Sequence, residues 1–130
     1  LLGLIALACL AKSAFQAKWK LLATQTALLV AGIVLVYGQQ YIDEQLHLWS
    51  SISLDYSTHT AIALILNIYI LVLLKKYWLA ISTIFVFYLL LMLYQGYHGV
   101  ADIVTTMLVI GTMYLPLVLL YQSRSTVNQS

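Results

Sequence analysis

The sequence predicts an all-α, polytopic transmembrane helical bundle with about five spanning helices, and three observations predict it. Of its 130 residues, 63% are hydrophobic and 8% charged, with a mean hydropathy of +0.96. A soluble domain carries roughly 25% charged residues, so this chain is composed for lipid rather than water. Its apolar residues are gathered into runs close to the ~20 that a spanning helix needs. Its ionisable side chains are sorted between the junctions of those runs.

Four runs are predicted as spanning helices, at 21–37, 58–74, 77–94 and 102–121. A fifth, LLGLIALACLA at 1–11, reads as the end of a spanning helix whose beginning is missing, so the N-terminus is expected to be incomplete. It lacks the basic flank of a secretory signal. Each run is apolar all round, as suits a helix with lipid on one side and helices on the others. Gly32 and Gly111 offer close helix contacts, and Pro116 is expected to kink the last helix or free a carbonyl. Asn67 lies mid-span, where its amide calls for a partner on a neighbouring helix. With no repeat, low-complexity tract or linker, residues 1–130 form one domain.

Basic residues set the orientation. Lys12, Lys18 and Lys20 follow the first run, Lys75 and Lys76 follow the third, and Arg124 follows the fifth. All lie on one side, which the positive-inside rule assigns to the cytoplasm. This predicts an integral protein of a plasma membrane, of the bacterial inner-membrane type. Trp19 and Trp78 fit an aromatic belt there. The net charge of +2 is too small and scattered for nucleic acid, and Cys9, as the single cysteine, has no partner for an internal disulfide.

The opposite, extracytoplasmic side holds Asp43, Glu44, His47 and Asp55 in a long predicted loop, His59 at the start of the third spanning run, and His98 and Asp102 before the last. No lysine or arginine falls there. Within the loop, 46–54 (LHLWSSISL) could lie flat in the interface, anchored by Trp49. Ionisable groups near membrane depth are costly and mark function by default.

Two short sequences carry the chemistry. DYSTHTA, at 55–61, runs into a helix with Ser57 or Thr58 as N-cap, and its free amides and helix dipole favour a bound anion such as phosphate. HGVAD, at 98–102, puts His98 and Asp102 four residues apart on one helical face. A carboxylate so placed orients an imidazole and stabilises its protonated form. Two histidines, one backed by a carboxylate, suit phosphoryl transfer through a phosphohistidine: one attacks phosphorus and the other protonates the leaving alkoxide. A separate possibility is a metal or cofactor site, since His47, His59 and His98 with Asp55 or Asp102 offer nitrogen and oxygen donors. The spacing is not compact, and no cofactor is predicted.

DYSTHTAIALILNIYI followed by YHGVADIVTTMLVIG resembles the second and third motifs of the type 2 phosphatidic acid phosphatase superfamily, which usually read PSGH and SRxxxxxHxxxD. The sphingomyelin synthase-like branch is nearer. The resemblance implies a membrane lipid phosphatase or phosphotransferase with His98 as nucleophile, Asp102 orienting it and His59 as leaving-group acid. It places Ser57 at the motif serine and Thr58 where the family has glycine, with Asp55 and Tyr56 beside them as substrate-binding residues. Where the wider superfamily has an arginine, this chain has Met92. The implied partners are the bilayer and a lipid substrate carrying a phosphate headgroup. The family core has six helices, one more than is visible here. An alternative is a catalytically inactive member of the same fold, serving as accessory subunit among membrane-complex partners.

Overall fold

The computed structural model of the chain describes residues 2–16, 19–54, 56–96 and 98–129. Five α-helices follow in order: α1 Leu2–Phe15, α2 Trp19–Leu46, α3 Thr58–Leu73, α4 Trp78–Gln95 and α5 Val100–Gln129. Short 3-10 turns occupy Ser50–Ile52 and Lys75–Tyr77, and the described residues contain no strand. The fold is an all-α bundle. Trp19–Leu46, Lys75–Gln95 and Val100–Arg124 are long and apolar enough to cross a membrane, whereas the apolar helices Gly3–Phe15 and Thr58–Leu73 are shorter.

α3 sits at the centre, packed against each of the other four helices. Its 16 residues bury Thr60, Ala61, Ala63, Leu64, Ile65, Asn67, Tyr69 and Ile70. At the α-helical rise it is about 24 Å long, less than the ~30 Å hydrocarbon core. Enclosed by protein, it faces little lipid and need not match that thickness. An uninterrupted apolar sequence has therefore produced two kinds of helix, one central and the others with exposed apolar sides. Val34, Phe87, Leu108 and Leu119 are each more than 60% exposed, as lipid-facing residues should be.

Polar side chains pin the crossings. Ser13 Oγ on α1 donates to Gln25 Oε1 on α2 at 2.8 Å, and the pair is buried. The Tyr114 hydroxyl on α5 donates to the Leu28 carbonyl on α2 at 3.1 Å. Beside it, a Cβ at Gly32 would lie 2.5 Å from Ile65 Cγ2 and 3.0 Å from Tyr114 Cε2, so this crossing requires glycine. Gly111 is less constrained: a Cβ there would meet Leu64 Cδ2 at 3.9 Å, an ordinary contact. Pro116 stands inside α5, where it withholds the donor that the Thr112 carbonyl would otherwise receive. With the Thr60 hydroxyl of α3 donating to Met92 Sδ near the end of α4 at 3.8 Å, these contacts run α1, α3 and α5 in one direction, with α2 and α4 opposed. Lys12, Lys20, Lys75, Lys76 and Arg124 consequently share one end of the bundle.

Three expectations need correction. α2 continues to Leu46, so Asp43 and Glu44 lie in its last turns and not in a loop. Glu44 is held there by Gln40, whose Nε2 donates to its Oε1 at 3.1 Å across one helical turn. Trp49 does not anchor in the interface. It is 5% exposed, with its indole N–H donating to Thr105 Oγ1 on α5 at 3.2 Å. Asn67 is buried without a hydrogen-bond partner for its Oδ1 among the described residues, so its carbonyl oxygen is not interhelical glue.

Candidate functional site

The site is built at the end of the bundle opposite the basic residues, where α3 begins. Ser57, and not Thr58, is the N-cap: its Oγ accepts from the Thr60 N–H at 3.3 Å and donates to Thr60 Oγ1 at 2.8 Å. The Ser57 N–H donates to Thr106 Oγ1 on α5 at 3.1 Å. Thr58 Oγ1 donates to Gln40 Oε1 on α2 at 3.2 Å. The Tyr56 hydroxyl donates to the Val36 carbonyl on α2 at 2.9 Å, and its ring meets Trp49 edge-on, 5.0 Å between centroids. Burial and the nearby Asp43 carboxylate push the Tyr56 phenol well above the ordinary tyrosine range. Three successive residues are thus tied to α2 and α5, and Ser57 is completely buried.

His59, the next residue, is exposed and turns towards α4. It lines a cavity of about 370 Å³ with Tyr88, Leu91, Met92, Gln95 and His98. The structure therefore brings together the two histidines expected to act on one phosphate. α4 ends at Gly96, whose positive φ of 72° closes the helix and turns the chain towards His98.

His98 Nδ1 lies 3.9 Å from Asp102 Oδ2, within ion-pair range but beyond a hydrogen bond. That Nδ1 is buried and has no hydrogen-bond partner among the described residues. Asp102 Oδ2 instead accepts the Gly99 N–H at 2.9 Å. A first-turn acid reaching back to the N–H three residues earlier is the return half of a capping box, so Asp102 both starts α5 and faces His98.

The remaining predicted residues divide. Ser57, Thr58 and Tyr56 hold the start of α3 and do not line the histidine cavity. Asp55 lies outside the described residues. His47 is exposed beyond the end of α2, in a left-handed conformation with φ 52°. It does not join the other histidines. Among the described residues, no group of three or more His, Cys, Asp or Glu side chains is arranged to hold a metal ion. Asp43 has a structural role: its Oδ1 accepts the Trp49 N–H at 2.8 Å.

Sequence reasoning missed Tyr88 and Gln95 as cavity residues. With Leu91 and Met92 they follow the i, i+3, i+4, i+7 spacing of one helical face, a signal readable in the sequence. The surrounding apolar residues of α4 obscured it.

Fold and site together define a helical integral membrane protein in contact with the bilayer, with a two-histidine cavity at one end. Comparison with protein-family models, with curated proteins and with solved structures returns no match.

Proposed function

We propose that this protein is a lipid phosphatase or phosphotransferase acting on a lipid phosphate headgroup at the extracytoplasmic face of a plasma membrane. One observation carries the reading: His59, in the first turn of α3, and His98, in the junction between α4 and α5, line the same cavity, and Asp102 stands beside His98. In this reading a nitrogen of His98 attacks phosphorus, forming the N–P bond as the P–O bond to the lipid breaks. His59 gives its proton to the departing alkoxide. Asp102 holds the positive charge that His98 acquires. A water or a second alcohol then attacks the phosphohistidine, and His59 takes the proton back. The orientation rests on the basic end facing the cytoplasm.

The test is phosphate release from a panel of lipid phosphates by the purified protein, with trapping of an acid-labile phosphoprotein. His98→Ala and His59→Ala should each abolish release, and His98→Ala should abolish the trapped species. Unchanged release in both variants sinks the reading.

A second reading has its own observation. Every lysine and arginine with described side chains lies at the opposite end of the bundle, whereas phosphoryl transfer ordinarily leans on cations around the phosphate. On this reading the chain is an inactive, phosphatase-like accessory subunit. Stoichiometric co-purification with a larger membrane protein, with no hydrolysis of any lipid phosphate, would support it.

A further inference from the structure

α4 packs chiefly against α3, so the side of α3 between α1 and α4 is left uncovered. A second cavity, of about 210 Å³, occupies that opening. Gly3 from α1, Ile62 and Leu66 from α3, and Ile84 from α4 line it, together with His59 and Tyr88. The last two residues also line the histidine cavity. The two spaces therefore adjoin along His59 and Tyr88, forming one cleft with imidazoles and the Gln95 amide at its outer end and hydrocarbon below.

We propose that this cleft is the binding site of a single-chain amphiphile, with its chain between α1, α3 and α4 and its anionic headgroup between His59 and His98. The headgroup assignment rests on the phosphate reading above; the chain assignment rests on the cleft alone. Polarity running in one direction along the cleft matches a lipid aligned with the bilayer, and its open side is continuous with the lipid-facing surface. At about 210 Å³ the apolar space is smaller than ordinary ligand pockets of roughly 300–1,000 Å³, so the smaller occupant, a single chain, is the one assigned to it. Gly3 contributes to that room, because a Cβ built there meets nothing within 4 Å. A large side chain at this position starts from open space and takes up room in the cleft.

The experiment uses the full chain in lipid nanodiscs and a lysophosphatidic acid probe carrying a diazirine in its chain. Photolabel is expected on α3 and α4 peptides. Unlabelled lysophosphatidic acid should displace it about tenfold more effectively than two-chain phosphatidic acid. Gly3→Phe should lower labelling about tenfold, with the melting temperature in detergent unchanged. Ile84→Trp obstructs the same cleft from α4 and repeats the test should Gly3→Phe fail to fold. Labelling without phosphate release from any substrate supports the cleft and overturns the phosphatase reading. Labelling that ignores both substitutions, or that falls on the outer faces of α2 and α5, overturns the cleft. So does disulfide pairing between two copies of Gly3→Cys made in a Cys9→Ser background, because the occupant would then be a second chain.

Discussion

The backbone N–H of Ser57 donates to the hydroxyl of Thr106 at 3.1 Å, fastening the first residue before α3 to the second turn of α5. Both groups are completely buried, so no solvent can replace the bond. Thr106→Val keeps the shape and removes the acceptor. It should destabilise the protein by about 1–3 kcal/mol, the cost of a buried unsatisfied donor. Thr106→Ser should recover most of the loss. Thermal unfolding in detergent measures both.

On the phosphatase reading Asp102 has two separable duties, capping α5 and facing His98. Asp102→Asn keeps an oxygen to accept the Gly99 N–H but removes the charge facing His98. It should leave the melting temperature within a few degrees of wild type. Phosphate release should fall by about 10²-fold, the lower end of acid–base effects. Asp102→Ala should also lower thermal stability, by about 1 kcal/mol for the lost cap. Equal activity of Asp102→Asn and wild type would leave Asp102 with the capping duty alone.

At Gly32 the helices approach so closely that a methyl group must displace Ile65 or the Tyr114 ring. Gly32→Ala should cost about 1–3 kcal/mol through overpacking. Gly38→Ala on the same helix is the control, since a Cβ there meets nothing within 4 Å. The difference in melting temperature between the two variants reads the effect directly.

The raised phenol of Tyr56 links stability to alkaline pH. Its neutral form is favoured in the fold by burial and by Asp43. The stabilisation is therefore complete below the ordinary tyrosine pKa and is lost as pH climbs towards the raised folded value. Unfolding followed from pH 8 upwards should show a destabilisation that Tyr56→Phe reduces. Tyr56→Phe should also be less stable near neutrality, by about 1 kcal/mol, for the lost bond to the Val36 carbonyl.

Fold class was legible because hydropathy and the sorting of charges are properties of the whole chain. The cavity histidines were legible because STH and HxxxD are local patterns near helix starts. What stayed hidden depended on neighbours. Nothing in THTAIALILNIYILVL distinguishes a helix surrounded by protein from one bathed in lipid, since both environments favour apolar side chains. Asp43 and Glu44 read as loop residues because acids end a hydropathic run. Backbone hydrogen bonding carried α2 past them regardless, and Asp43 then caps the loop that follows. Trp49 near a predicted interface resembled a membrane anchor, and only the position of Thr105 across the bundle reveals its partner.

The central position of α3 also determines which substitutions the protein can absorb. A helix touching four others has, apart from the strip that faces the cleft between α1 and α4, no side along which a larger or smaller residue can be accommodated by lipid. α4, resting chiefly on one neighbour, can vary across most of its circumference provided it stays apolar. A saturation scan scored by folded yield should find most of the 16 positions of α3 sensitive, the cleft-facing His59, Ile62 and Leu66 least. In α4 sensitivity should concentrate at Ile81, Phe85 and Met92, the residues it buries. The shortest helix after α1 would then tolerate the least change, the reverse of the ranking that length implies.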